Sequence, residues 1–195
     1  MGLSIEGSGS GPIYGAGVNS ENQLLTRAVT ESLEHHANQH EKQAFSLPIS
    51  VSPNAADDCI FYMKNTSDID LTIEGLTVGT TDPSANDSIY FKLGDTGTRD
   101  SATDVTPINV NTGGVNNATG DFETGIHLND GTLSGGNTFE RIVLAAAAAT
   151  DKVSSAFNFP QDVIIKKNGT FTIWIGGSGT GTYYLTLHFH YHNTD

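Results

Sequence analysis

From residue 45 onward the sequence consists of short runs of β-branched and aromatic residues, separated by Gly, Asn, Asp and Pro. Runs of this length and composition are typical of strands, and the residues between them favour turns. Helical patterns do not alternate with these runs, which disfavours a parallel α/β sheet. Because about ten such runs follow one another, the pattern predicts an all-β fold, namely an antiparallel β-sandwich of jelly-roll type.

The predicted strands share strand-like composition and turn residues at their ends. They are AFSLPISVS, CIFYMKN, LTIEGLTVG, SIYFKLG, TPINVN, GIHLN, TFERIVLA, DVIIKKN, TFTIWIG and TYYLTLHFHYH. Asn168-Gly169 predicts a type I′ hairpin between the eighth and ninth runs. The stretch LAAAAATDKVSSAF is ambiguous, because its alanines favour a helix whereas its position fits an extended strand.

The part of the chain before the strands divides into two segments. Residues 1–20 form a Gly/Ser-rich extended arm that cannot pack on itself and is expected to dock on neighbouring subunits. Residues 21–45 are predicted to hold a linker strand and one short helix, with Thr30 as its N-cap. Residues 46–195 form the predicted β-sandwich domain. One face of the helix would carry Leu33, Ala37, His40 and Ala44.

The charge of the chain limits its partners. Lys and Arg number 9 against 22 Asp and Glu, so the formal net charge is -13. Nucleic-acid binding needs clustered cations, and anionic membranes repel such a surface. No apolar run has the length of a membrane-spanning helix, and the N-terminus lacks the pattern of a signal peptide. We therefore expect no direct contact with nucleic acid or membrane.

Three histidines alternate with aromatic residues in the last predicted strand. Strand alternation places Leu187 and its inward neighbours in the core, and His188, His190 and His192 on the opposite face. The outer two Cα atoms lie roughly 13 Å apart at about 3.3 Å per residue, so one metal could bind two neighbouring histidines but hardly all three. A plain polar face is favoured. A structural metal site, a histidine cluster at a subunit interface and a catalytic site are the alternatives, with His188 and His190 as weak metal candidates.

Catalytic motifs are incomplete. The His-x-His pair resembles the first motif of the cupins, but the Glu that follows it in that family is missing, so a cupin-like metal enzyme is only a remote alternative. The sequence has no nucleophile elbow, P-loop or dinucleotide fingerprint. We therefore expect no enzymatic activity and no cofactor.

Two loops and one aromatic residue are further candidates for binding. Asp95, Asp100 and Asp104 lie in one acidic loop, and Asn129 and Asp130 lie in a second. Their oxygens suit calcium, but the spacing is not that of an EF-hand, so solvated loops are favoured.

Strict alternation turns Trp174 away from Phe171 and Ile173. It would therefore be an exposed ligand or interface aromatic, unless an arm or a neighbouring subunit covers it. Cys59, in an apolar run, is expected to be an inert buried thiol.

The segment ENQLLTRAVTESLEHHANQHEKQAF is followed by CIFYMKNTSDIDLTIEGLTVG. Through these two segments, residues 22–80 resemble virion structural proteins of tailed phages and their uncultured marine relatives. The matching residues are Leu24, Arg27, Ala28, Val29, Ser32, His36, Ala37, Lys64 and Asn65.

The resemblance implies a β-rich shell component, most simply a homotrimeric decoration (cement) protein on the outer surface of the capsid, made in the host cytoplasm. Its partners would be the major capsid protein or other virion subunits. A tail or fibre component, or a carbohydrate (receptor)-binding module, is the alternative. The residues expected to contact partners are the apolar and basic anchors of the N-terminal segments, Ile5, Ile13, Tyr14, Leu24, Leu25, Arg27 and Leu33.

Overall fold

The computed structural model describes residues 43–81, 87–111, 117–144, 152–177 and 181–192. Within them the chain consists mainly of β-strands in two antiparallel sheets, which pack face to face as a sandwich. The prediction of an all-β sandwich is therefore confirmed. No helix in the described part of the chain is long and apolar enough to cross a membrane.

The described residues form eleven strands and one turn of 3-10 helix at Leu128–Asp130. The strands are β1 (Ala44–Val51), β2 (Asp58–Asn65), β3 (Asp70–Thr81), β4 (Ser88–Leu93), β5 (Thr103–Asp104), β6 (Ile108–Asn109), β7 (Gly120–Thr124), β8 (Asn137–Val143), β9 (Lys152–Ile165), β10 (Thr170–Gly176) and β11 (Tyr183–His192).

The eight longer strands follow a jelly-roll order. One sheet contains β1-β11-β3-β9 and the other contains β2-β10-β4-β8, so consecutive strands mostly cross from one sheet to the other. This is the double Greek-key arrangement of a jelly roll. β11 lies between β1 and β3, and β10 lies between β2 and β4.

The three shortest strands come from a single insertion between β4 and β8, residues 94–136. β6 pairs with β1, whereas β7 pairs with β2 and carries β5 on its outer side. The insertion thus extends both sheets along the β1 and β2 edges. The opposite edges, β8 and β9, end the two sheets.

The core lies between the sheets and is rich in aromatic residues. Phe91 stacks on Phe171 at 6.0 Å between ring centroids, and Phe122 stacks on Phe189 at 5.5 Å. All four side chains are at most 5% exposed. Aromatic rings bury large apolar areas, so these pairs contribute strongly to the hydrophobic stabilisation of the sandwich.

The predicted hairpin at Asn168-Gly169 is wrong. β9 pairs with β3, whereas β10 pairs with β2 and β4, so the turn carries the chain from one sheet to the other. Within it, the Gly169 amide donates to the Lys166 carbonyl at 2.8 Å, and Asn168 alone has a positive φ, 64°. This is the pattern of a type II turn, not of type I′.

Asn65 explains why this turn is fixed. It is fully buried, and its side-chain amide donates to the carbonyls of Ile69 and Ile165 at 2.9 and 2.8 Å. Its backbone also exchanges hydrogen bonds with Asn168 and Gly169. Asn65, the second residue of the Lys-Asn pair, therefore joins two turns.

Three other predictions concern segment limits. Ala44, placed on the helix face, instead begins β1, so the sandwich begins two residues before the expected boundary. The predicted strand GIHLN is not a strand: its last two residues begin the 3-10 turn, where the Leu128 side chain is buried. The remainder of the helix, the arm and the Ala145–Ala149 run lie outside the described residues. After that run, the chain is β9 from Lys152 onward.

Candidate functional site

The predicted histidine row and Trp174 lie on the two outer faces of the sandwich, those turned away from the shared core. The predicted partner-binding residues lie outside the described residues: Ile5, Ile13, Tyr14, Leu24, Leu25, Arg27 and Leu33. The histidines are on the outer face of the five-stranded sheet, in β11. Trp174 is on the outer face of the six-stranded sheet, in β10, beneath the insertion. The two faces differ in what contacts these side chains.

The alternation of β11 follows the prediction on its inner side. Leu185, Leu187 and Phe189 are at most 1% exposed and belong to the core. On the outer side, His188 is half-buried, but His190 is only 2% exposed. The prediction of a plain polar face is therefore wrong for His190, because its side chain is buried on this face of the sheet.

His190 is held by an acidic neighbour on β3. Its Nδ1 lies 2.6 Å from Oε1 of Glu74, at hydrogen-bonding distance. Glu74 occupies a β-bulge, since Ile73 pairs with Phe189 whereas Gly75 pairs with His188. Bulges re-aim side chains next to functional sites, and here the bulge turns the Glu74 carboxylate toward His190.

The second ring nitrogen of His190 is unusual. Its Nε2 is buried and, among the described residues, has no hydrogen-bond partner. A buried polar atom without a partner costs free energy comparable to a lost hydrogen bond. The Glu74–His190 pair therefore presents one nitrogen whose hydrogen-bonding capacity remains unused within this part of the chain.

The histidines are not assembled into a metal centre by the residues that the structure describes. No group of three or more His, Cys, Asp or Glu side chains there is arranged to hold an ion. His127, a histidine outside β11, lies in the insertion beside Asp130, 3.3 Å from its carboxylate. His35, His36 and His40 lie outside the described residues.

A polar cavity of about 540 Å³ lies beside the histidine row. Its polar lining comes from Glu74, Thr77, Asn158 and His188. Gly75 permits the close approach of β9 here, because a Cβ atom at this position would lie 2.5 Å from the Phe157 carbonyl oxygen. Carboxylate, amide and imidazole groups around one opening can hydrogen-bond several hydroxyl groups of a ligand.

On the opposite outer face, Trp174 points away from the core as alternation requires, but it is only 6% exposed. The expectation of an exposed aromatic is wrong, because Leu128 and Leu133 of the insertion pack over it. Tyr90 stacks against its ring at 6.0 Å, and Nζ of Lys92 lies 3.6 Å from the ring centroid. The cover is supplied by the chain's own insertion.

Asp95 anchors the insertion to this face. Its carboxylate is fully buried and accepts hydrogen bonds from the Thr172 hydroxyl at 2.5 Å, the Trp174 indole at 3.1 Å and the Gly136 amide at 2.7 Å. Hydrogen bonds to a charged group are roughly twice as strong as neutral ones. The prediction of a solvated acidic loop is therefore wrong for Asp95.

The two acidic loops do come together. Thr96 and Ser134 exchange backbone hydrogen bonds at 2.9 Å, which joins one loop to the other. Asn129 reaches beneath them to accept a hydrogen bond from the Cys59 amide at 2.6 Å. Cys59 is a buried thiol, as expected, and its burial raises its pKa far above the ordinary value. It is therefore a poor nucleophile in the folded protein.

An ion pair within the insertion, Arg99 with Glu123, also supports it. Arg99 contacts Glu123 of β7 through two hydrogen bonds of 2.6 and 2.5 Å, and its guanidinium lies 4.2 Å from the ring centroid of Tyr62. The hydrogen bonds to Glu123 raise the pKa of Arg99. Such two-pronged pairing is geometrically specific, which fits a residue that fixes a loop on a strand.

Comparison with known proteins adds no relative. No protein-family model, curated sequence or solved structure matches this chain.

Proposed function

We propose that this protein is a virion structural protein, most simply a homotrimeric decoration (cement) protein that stabilises a phage head from the outside. The role is structural rather than catalytic. The resemblance of residues 22–80 to tailed-phage virion proteins supports the class of protein. The jelly-roll topology supports it by analogy, since viral capsid and lectin domains share that architecture.

The observation that carries the outer location is the distribution of charge. The chain has a formal net charge of -13. The described cations mostly contact groups of their own chain: Lys166 pairs with Asp70, Lys167 with Asp68, and Arg99 with Glu123. Little basic surface is left to neutralise phosphates, which favours the outside of a DNA-filled shell over its inside.

Attachment is assigned to the N-terminal segments. Residues 1–20 can offer main-chain hydrogen bonds along the edge of a neighbouring sheet, in the manner of β-augmentation. The apolar anchors Ile5, Ile13 and Tyr14 would then fill pockets on the major capsid protein or another virion subunit, and Leu24, Leu25, Arg27 and Leu33 would add contacts beyond the arm.

The test is truncation. A variant without residues 1–20 is expected to fold, by circular dichroism, but to lose co-sedimentation with particles that lack the full-length protein. Multi-angle light scattering of the full chain is expected to give the mass of a trimer. Co-sedimentation of the truncated chain at full-length levels would contradict the anchoring role, and a monomeric full chain at micromolar concentration would contradict the trimer.

A carbohydrate-binding tail or fibre module is a second candidate, favoured by the polar cavity beside His188. Its lining residues Glu74 and Asn158 are of the types that hydrogen-bond sugar hydroxyls. The test is calorimetric titration with host-envelope polysaccharide. Asn158→Ala should abolish such binding, whereas Asn54→Ala, in the exposed loop after β1, should leave it unchanged.

A further inference from the structure

An opening lies between β8 and β9, away from the histidine row. It encloses a cavity of about 560 Å³ at the edge where the two sheets end. We propose that it receives a basic side chain, Arg or Lys, from an apolar segment of a partner protein. This inference goes beyond the proposed function, because the partner is defined by its chemistry alone.

Irregularities in both edge strands shape the opening. On β9, Val163 pairs with Ile73 and Asn158 pairs with Gly75, so residues 159–162 bulge out of the ladder. On β8, the register with β4 shifts around Phe139, which has no partner of its own. Bulges bend a strand and re-aim its side chains. Because both edge strands bulge, the edges of the two sheets diverge here and leave an opening between them.

The walls of the cavity are apolar and aromatic. Phe139 and Phe159 face each other with ring centroids 5.6 Å apart, and Phe159 continues the stack of core rings through Phe91 at 5.3 Å. Phe139 is 38% exposed and Ile164 is 48% exposed. An aromatic pocket open to solvent is suited to a side chain with an apolar stem.

Two carboxylates, Glu140 and Asp162, line this apolar opening, and neither pairs with a cation in the part of the chain that the structure describes. Glu140 accepts a hydrogen bond from the backbone amide of Arg141 at 2.9 Å. Asp162 makes no hydrogen bond or ion pair with any residue that the structure describes, and it lines the same cavity. Lys166 and Lys167, which follow β9, are paired with Asp70 and Asp68.

The combination of aromatic walls with an acidic rim selects the occupant. A guanidinium or ammonium group gains from both carboxylates and from the negative faces of the rings, while its alkyl stem fills the apolar wall. A neutral or anionic group gains little or is repelled. Charge complementarity therefore favours a basic residue flanked by apolar ones.

A second copy of this chain fits the opening poorly. Two copies would bring the same acidic rims together, and each carries a formal charge of -13. Continuous pairing of edge strands is opposed as well, because Glu140 lies opposite the core residue Phe91 and because both strands bulge. Inward charges and bulges of this kind are the features that prevent edge-to-edge association.

The experiment uses benzamidine, a small aromatic cation, as the probe of the full-length chain, followed by two-dimensional amide NMR. Saturable shifts are expected at Phe139, Phe159 and Asp162. The uncharged isostere benzamide and the anion benzoate should bind at least about tenfold more weakly. The affinity for benzamidine should fall as salt is raised, because exposed ion pairs are screened.

The variant Glu140→Gln/Asp162→Asn should weaken the affinity for benzamidine by about five- to tenfold, because it removes two ion pairs at a partly exposed site. The matched control Asp104→Asn/Asp121→Asn removes the same charge from exposed positions on β5 and β7, at the far edge. It should leave binding unchanged.

Three results would overturn the proposal. Benzoate or benzamide could perturb the same amides as strongly as benzamidine. The far-edge control could weaken binding as much as the cavity variant, which would make net charge the cause. Finally, sedimentation could show that Glu140→Gln/Asp162→Asn changes self-association, which would make a second copy the occupant. The salt dependence of the unmodified chain tests the idea even if the variant fails to fold.

Discussion

Each outer face of the sandwich has a buried side chain that strand alternation turns away from the core. The two side chains differ in whether their polar atoms find hydrogen-bond partners. On the six-stranded sheet, the insertion covers Trp174, and its indole NH is satisfied by Asp95 and Thr172. On the five-stranded sheet, His190 is equally buried, but its Nε2 finds no partner in the described part of the chain. The indole of Trp174 is thus satisfied by its own chain, whereas the imidazole of His190 retains hydrogen-bonding capacity, as Nδ1 of His127 in the insertion also does within the described residues. The contrast between the faces therefore lies in their central side chains, Trp174 and His190.

The largest effect should come from removing the centre of the covered face. Trp174→Ala deletes a buried aromatic and should lower the free energy of unfolding by about 3–5 kcal/mol. Denaturant unfolding followed by circular dichroism measures this. Tyr184→Ala, at a residue 51% exposed on the other outer face, is the control and should change stability by less than about 0.5 kcal/mol. Equal effects would mean that the insertion is not a stable cover.

The next effect tests the anchor of that cover. Asp95→Asn keeps the shape but replaces one acceptor oxygen by a donor, which sets donor against donor at the buried site. It should cost about 1–3 kcal/mol. Asp104→Asn, at an exposed residue of β5, is the matched control and should be nearly neutral. A neutral result for Asp95→Asn would show that the insertion is held by apolar contacts alone.

A smaller difference is expected within the histidine row. His190→Ala should cost about 1–2 kcal/mol, because a buried side chain and its bond to Glu74 are lost. His188→Ala, at a half-buried residue, should cost less than about 0.5 kcal/mol. If both substitutions lower the free energy of unfolding equally little, the burial of His190 makes no energetic contribution. The buried side chains of the two outer faces, Trp174 and His190, would then differ more in their contribution to stability than we infer.

The smallest effect concerns alkaline pH. Burial, followed by the nearby Asp57 carboxylate, raises the pKa of Tyr90 above its ordinary value of 10.0. A group with a raised folded pKa stabilises the fold fully below its unfolded pKa, and this stability is lost as pH rises beyond it. The free energy of unfolding should therefore fall less steeply between pH 9 and 11 in Tyr90→Phe than in the unmodified protein. Denaturant unfolding at several pH values measures this. Parallel declines would contradict the contribution of partial burial and of Asp57 to the pKa of Tyr90.

The sequence predicts the sandwich and most of its strands, because alternation and turn residues are local properties. It predicts the direction of Trp174 and of the histidines for the same reason. Their burial depends on contacts far along the chain, such as Leu128 over Trp174, which no local pattern encodes. Two signals were present in the sequence: an acid within a predicted apolar strand, Glu74, and an aspartate two residues after β4, Asp95.

The neighbouring positions of β1 and β11 have a consequence for the order of folding. Ala44 pairs with His190, and Val51 pairs with Tyr183, so the first and last described strands lie side by side. Contacts between such distant residues require closure of nearly the whole domain, which slows folding. During synthesis, the five-stranded sheet cannot be completed until β11 leaves the ribosome. Assembly onto any partner through the histidine face must therefore follow translation of β11.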